Sequence, residues 1–349
     1  MPSSFARLVT PQALSLYALL AALFAFCSEA LLWNRPEPRS IPALGLVSVG
    51  YLAAAAVLTD MMARYRVQTF TGLMAVAGLY GMINGLTLNP DTALIDVPRT
   101  LITRVLGAHT LMGVLALSAF VALQLGLRGR GRRALLLILF ALLGIGWGAW
   151  ARWNDAGGGA ATYNSTPAFA LEPIIAGAVL IALAAGCWRW HRAVTGVRPP
   201  PPPAGKALID PAAPYKLTPG GYALAAAALG VNLAYHLANA HVDSVSLTIL
   251  IVLIGFVGSI LWFQTRKKGL SLIDGIDAGT EPPGYWIAAA LIVLVSAAFA
   301  HQLARQPDAG DPVAWFGALF TTAGVVWLPA LTLIIGARAL GRRARSLRL

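Results

Sequence analysis

Charged residues are scarce in this sequence, at 11% of 349 residues, and acids are the scarcest, with 14 Asp and Glu against 26 Lys and Arg. Soluble domains carry about 25% charged residues, so this composition excludes an ordinary soluble protein. The net charge of +12 does not indicate nucleic-acid binding, because the basic residues form short clusters between apolar runs without a recognition motif. We therefore expect no nucleic-acid partner.

Cysteine is almost missing, and the two that occur, Cys27 and Cys187, lie near the ends of apolar runs. This excludes a disulfide framework and a Cys-x-x-Cys metal motif. The sequence also lacks a tight histidine motif such as His-Glu-x-x-His. No small-x-small cleavage site follows the first apolar run, which is too long for the core of a signal peptide. We interpret that run as a retained membrane span.

Hydrophobic residues, in contrast, make up 58% of the chain and form ten runs of about 20 residues, the length of a helix that crosses a bilayer. The pattern predicts an all-α, polytopic transmembrane helix bundle of about ten spans. The predicted spans lie near 12–33, 42–60, 69–88, 104–126, 133–151, 168–188, 219–239, 244–263, 284–304 and 313–337.

Lys and Arg are distributed unequally between the two sides that these spans define. One side collects 20 of them and the other side 6, namely Arg35, Arg39, Arg99, Arg104, Arg152 and Arg305. The positive-inside rule then places both termini in the cytoplasm. Richness in Ala, Gly, Pro and Arg is typical of a GC-rich bacterial genome. We therefore predict a multi-pass protein of a bacterial cytoplasmic (inner) membrane, surrounded by lipid, with anionic lipid at the basic C-terminal tail.

A proline-rich segment at 193–218 divides the chain into a six-helix part, 1–192, and a four-helix part, 219–349. Consecutive prolines favour an extended conformation, so we predict a cytoplasmic linker. Leu-Val-Thr-Pro before the first run resembles Lys-Leu-Thr-Pro before the seventh. Such similarities suggest that helices one to four and seven to ten form a parallel 4+4 pseudo-repeat, with two connecting helices between the repeats.

Polar residues within the apolar runs gather near the span ends on the side that has few basic residues. Asn232, His236 and Asn239 are spaced i, i+4 and i+7, and would form one polar stripe on a helix. Ionisable groups at membrane depth are costly, and usually face a bundle interior or a wet cavity. We therefore predict a polar pocket near the outer, extracytoplasmic face, with the candidate residues Glu29, Asn84, His109, Glu172, Asn232, His236, His241, Asp243, His301 and Arg305.

Several functions are compatible with such a pocket. Histidine and carboxylate ligands suit a transition metal, and two facing histidines can hold a haem, so His109, His236 and His301 are candidate ligands. The same side chains could act as acid and base in a membrane-embedded enzyme with an outer-leaflet substrate. A transporter or permease for a small solute is a further interpretation, and would show a polar path from the outer site to the cytoplasmic face. A structural or assembly subunit of a membrane complex is another.

Purely structural roles compete with these functions. A histidine at a helix end often serves as an interfacial anchor or a cap. Glu29 and Glu172 lie about one turn inside apolar runs, where an unpaired carboxylate is costly. They could form an ion-pair belt with Arg104, Arg152 or Arg305.

Overall fold

A computed structural model of the chain describes residues 9–32, 39–125, 130–154, 172–195, 213–264, 271–273, 283–303 and 312–346. Within these ranges the protein is helical and contains no strand. The α-helices are α1 (Pro11–Ala25), α2 (Ile41–Arg64), α3 (Phe70–Ile83), α4 (Pro90–Ala93), α5 (Thr110–Leu125), α6 (Arg130–Asn154), α7 (Glu172–Thr195), α8 (Pro219–Ala238), α9 (Ser244–Gln264), α10 (Pro283–Leu303) and α11 (Pro312–Ser346).

Three π-helical segments join these helices. The segment π1 (Phe26–Leu31) extends α1, π2 (Asn84–Leu88) extends α3, and π3 (Leu101–His109) leads into α5. A short 3-10 turn, Ala213–Tyr215, precedes α8.

The predicted all-α class is confirmed for the described residues. Eight helical segments among them are long and apolar enough to cross a membrane: Pro11–Leu31, Ile41–Arg64, Phe70–Leu88, Leu101–Gln124, Ala213–Ala238, Ser244–Phe263, Gly284–Leu303 and Gly317–Arg338. Helices α6 and α7 coincide with the other two predicted spans. The ten-span count, the position of the termini and the two-part division stay predictions.

Helices α1 and α8 begin in the same way. Thr10 Oγ1 accepts a hydrogen bond from the Ala13 amide, and Thr218 Oγ1 accepts one from the Gly221 amide, both at 3.1 Å. Each threonine satisfies an amide that has no partner within its helix, and the following proline suits the first helical position. The Thr-Pro similarity in the sequence therefore corresponds to a shared helix start, while the four-helix repeat stays a prediction.

Helix α1 packs against α2, α5 and α7, and three further helices cover the outside of this group. Helix α8 packs on α2, α9 packs on α3, and α11 packs on π3, while α6 and α10 form a close pair. The pair is close because α6 has a glycine at 148: a Cβ there would lie 2.0 Å from the Ala297 carbonyl oxygen of α10. Small residues at such positions let helix backbones approach in membranes.

Contacts between distant segments define two ends of the bundle. At one end, Ser15 Oγ lies 2.9 Å from His191 Nδ1, and Tyr17 donates a hydrogen bond to the Tyr215 carbonyl. We call this the basic end, because the loops near it in sequence carry most of the Lys and Arg. The opposite end contains π1, π2 and π3, and we call it the polar end. The layer between them is apolar and tightly packed, with Leu20, Leu58 and Leu79 buried.

Candidate functional site

The polar end is built around Glu29, which π1 carries one turn from the end of the first span. Arg39 Nη1 lies 2.9 Å from Glu29 Oε2. Tyr51 donates a hydrogen bond of 2.6 Å to Glu29 Oε1, and Asn89 Nδ2 donates one of 3.0 Å to the same oxygen. Arg39 also donates to Asn89 Oδ1. The carboxylate is therefore held by one cation and two neutral donors, as a buried charge requires.

A second set of hydrogen bonds links this carboxylate group to Asn84 and His109. Asn84 Nδ2 lies 3.1 Å from Tyr80 Oη and 3.4 Å from Ser28 Oγ, and Asn84 Oδ1 accepts a bond from Asn89. Ser28 Oγ lies 3.5 Å from His109 Nδ1. Three of the predicted site residues, on three different helices, therefore belong to one buried network.

The π-segments explain why these side chains meet. Glu29 lies on π1, Asn84 begins π2, and His109 ends π3. A π-turn contains an extra residue, which rotates the following side chains relative to a regular helix, and such turns are frequent at functional sites. Spacing arguments based on 3.6 residues per turn could not predict this rotation.

A small cavity lies beside the network, between α2 and α8. It has a volume of about 40 Å³, and its lining includes Arg39, Asn232, His236 and His241. Asn232 is fully buried, and its Nδ2 donates to the Leu46 and Ala228 carbonyls at 3.1 and 3.0 Å. Asn232 Oδ1 has no hydrogen-bond partner among the described residues.

Two histidines complete this cavity. His236 Nδ1 and His241 Nδ1 lie 3.1 Å apart, so the N–H of one ring donates a hydrogen bond to the nitrogen of the other. Arg39 lines the cavity and also binds Glu29. It thereby joins the network to the cavity. One continuous region therefore contains six of the predicted site residues, namely Glu29, Asn84, His109, Asn232, His236 and His241.

The surface around the cavity is apolar and exposed. Ile41 is 85% exposed and Val231 is 57% exposed, while Tyr235, which lines the cavity, is 45% exposed. In a membrane such side chains would face lipid at the level of the polar end.

The remaining predicted residues lie elsewhere. Asp243 caps α9: it accepts hydrogen bonds from Ser246 Oγ and from the Ser246 and Val245 amides, and these bonds hold the pKa of its exposed carboxyl below the ordinary value. His301 is buried on α10, which packs against α6. Glu172 begins α7, but its side chain lies outside the described part of the protein, as does the whole of Arg305.

The ion-pair partner suggested for Glu29 was wrong. Arg104 donates instead to the Thr92 carbonyl at 3.0 Å, and Arg152 and Arg305 have no described side chains. The partner is Arg39, which lies just before α2. Sequence reasoning also missed Tyr51 and Asn89. The only signal for them was that a buried hydroxyl or amide needs a partner.

Among the described residues, no cluster of three or more His, Cys, Asp or Glu could hold a metal ion. His109 contacts Ser28, and His236 contacts His241. A haem needs only two facing histidines, so the metal or haem hypothesis stays a prediction.

A second charged cluster, which sequence reasoning missed, lies at the basic end. Asp60 on α2 is fully buried and accepts two hydrogen bonds of 3.0 Å from Arg64. It also accepts one of 2.7 Å from the Leu217 amide and one from Tyr222. The last residues of the predicted linker are therefore attached to α2. The sequence did not predict a site at Asp60, because a carboxylate at the end of an apolar run resembles an ordinary loop residue.

The polar end thus combines the paired Arg39 guanidinium with the imidazoles of His236 and His241. It also contains the buried Asn232 Oδ1, which has no donor among the residues that the structure describes. Such groups can bind a polar ligand and can transfer protons to or from it. The chain matches no protein-family model, no curated protein and no solved structure.

Proposed function

We propose that this multi-pass membrane protein binds a hydroxylated head group of an outer-leaflet amphiphile in the cavity between α2 and α8. The observation that carries the proposal is the buried Asn232 Oδ1, which has no donor among the described residues and lies beside Arg39 and two histidines. A hydroxyl group can donate to Asn232 and accept from Arg39 or a histidine at the same time. A purely anionic group would leave the Asn232 oxygen unsatisfied.

The size and surroundings of the cavity support an amphiphile. About 40 Å³ holds only a few water-sized groups, so one hydroxyl of a ligand enters and the rest stays outside. The exposed apolar surface at Ile41, Val231 and Tyr235 offers a place for a hydrocarbon chain. A soluble solute would not use that surface.

The buried network has a positioning role in this proposal. Glu29 and Asn89 hold the Arg39 guanidinium through Nη1 and Nη2. A guanidinium carries five N–H donors in all, so in this proposal Arg39 also binds the ligand. His236 and His241 are the acid–base groups of the site in this proposal, because both imidazoles line the cavity and lie within hydrogen-bond distance of each other.

The test is amphiphile binding to the full chain in phosphatidylcholine nanodiscs. We expect monooleoylglycerol and dodecyl glucoside to bind, and oleyl phosphocholine, which has no hydroxyl, to bind much more weakly. Asn232→Leu keeps the branched shape of the side chain but removes the acceptor, together with the Nδ2 donor to the Leu46 and Ala228 carbonyls. It should weaken binding about tenfold or more, because the ligand hydroxyl loses its partner.

Asn239→Leu is the matched control. Asn239 follows α8, is exposed and is not among the residues that line the cavity, and its Nδ2 donates to the Tyr235 carbonyl. We expect this variant to bind like the wild type. Equal binding of all three amphiphiles, binding of none, or an unchanged affinity in Asn232→Leu would contradict the proposal.

A transporter is the second candidate, because polar contacts join separate segments at both ends of α2. Before the start of α2, Arg39 pairs with Glu29 of π1, and near its end Asp60 accepts a hydrogen bond from the Leu217 amide of the segment before α8. Alternating access would require these two contacts to open in turn. In a cysteine-free background, Asn232→Cys would then react with a membrane-impermeant thiol reagent from both sides. Reaction from the outer side alone supports the binding site and contradicts transport.

A further inference from the structure

A second, much larger cavity opens between α1, α5, α6, α7 and α10. Its volume is about 550 Å³, within the range of sites that take small molecules. Its wall is almost entirely apolar and includes Leu23, Leu115, Phe140, Ile181 and Leu294. It is separate from the polar-end cavity, so a ligand bound in it is independent of the proposed function.

Polar atoms occur in this wall near the basic end. Arg189 lies near the end of α7 and is exposed. Among the described residues that line the cavity, it is the one with a charged side chain. Trp286, near the start of α10, also lines the cavity, and its buried Nε1 has no hydrogen-bond partner among the described residues. The cavity therefore has an apolar body and two hydrogen-bond donors toward one end.

The charge around this end favours an anionic ligand. Arg192 lies one turn beyond Arg189 on α7, with its guanidinium 5.4 Å from the centre of the Trp188 ring. The loops of the basic end carry most of the Lys and Arg. Anionic lipids gather at such surfaces.

We propose that this cavity binds one anionic phospholipid from the leaflet at the basic end. One acyl chain lies in the apolar cavity, the phosphate group binds Arg189, and the Trp286 indole N–H donates to an ester oxygen. The far end of the cavity is formed by Phe26 and Cys27. Both belong to π1, so the bound chain packs against the segment that carries Glu29.

The test is native mass spectrometry of the detergent-purified full chain after incubation with dioleoyl phosphatidylglycerol or dioleoyl phosphatidylcholine. We expect one phosphatidylglycerol to be retained per chain, and phosphatidylcholine to be lost at the same collision energy. Arg189→Gln should weaken phosphatidylglycerol binding roughly fivefold or more. Ala290→Phe, which places a ring in the cavity, should abolish the binding of either lipid.

Arg66→Gln is the matched control, because Arg66 is exposed at the basic end between α2 and α3 and does not line the cavity. It should retain phosphatidylglycerol like the wild type. Equal retention of both lipids, retention of neither, or equal effects of Arg189→Gln and Arg66→Gln would overturn the proposal. Because Arg189→Gln alters an exposed side chain, that comparison stands even if Ala290→Phe does not fold.

Discussion

Arg39→Met is expected to lower the free energy of unfolding by about 3–5 kcal/mol, the usual cost of leaving one partner of a buried ion pair alone. The Arg39 side chain is 6% exposed and that of Glu29 is 20% exposed, so water cannot fully replace the lost cation. Asn89 would lose a donor to its Oδ1 as well. The measurement is unfolding by SDS titration in mixed micelles.

Two further variants separate this effect from a general loss of charge. Arg99 pairs with Asp96 at 3.6 Å, but their side chains are 80% and 58% exposed, so Arg99→Met should cost less than about 1 kcal/mol. The double variant Glu29→Gln, Arg39→Met removes both charges, and should recover much of the loss. If Arg39→Met costs no more than Arg99→Met, the buried network does not stabilise the polar end.

Asp60→Ala is expected to detach residues 213–218 from α2 at the basic end. The Leu217 amide and the Tyr222 hydroxyl would lose their acceptor, and Arg64 would keep only its hydrogen bond to the Leu217 carbonyl. Several unsatisfied groups together should cost about 3 kcal/mol or more. Amide hydrogen exchange of the peptide that contains Leu217 should then become at least about a hundredfold faster.

Asp243→Ala is the control for this experiment, because Asp243 is a carboxylate that is exposed and caps α9 at the polar end. It should leave the exchange of Leu217 unchanged and cost only about 1 kcal/mol as a lost cap. If Leu217 exchanges at the wild-type rate in Asp60→Ala, the segment before α8 is held by its other contacts, among them the hydrogen bonds from Tyr17 to the Tyr215 carbonyl and from Arg64 to the Leu217 carbonyl.

The helices and the general depth of the site were accessible from the sequence. Apolar runs near 20 residues leave few alternatives to helices in a bilayer. Polar groups are costly at membrane depth. This cost alone predicts that six residues belong to a site: Glu29, Asn84, His109, Asn232, His236 and His241. Depth is a property along the chain, so counting residues from a span end is enough to estimate it.

Partners could not be predicted in the same way. Glu29 could pair with any arginine on its side of the membrane, and only the packing of the helices brings Arg39, Tyr51 and Asn89 to it. Likewise, the attachment of Leu217 to Asp60 joins residues 157 positions apart. Contacts across helices depend on rotation and lateral position, which apolar periodicity constrains weakly in helices that are hydrophobic nearly all round.

The sequence by itself determined the apolar helical segments of a multi-pass membrane protein. It also determined that polar residues are concentrated at the ends of these segments on one side. Tertiary structure alone decided that these residues form a network with Arg39 and a small cavity with Asn232, and that a large apolar cavity opens beside Arg189. The physical reason is that burial in lipid acts on each segment separately, whereas a site requires side chains of several segments to meet. Three π-turns rotate those side chains into contact, and no rule based on regular helical spacing anticipates them.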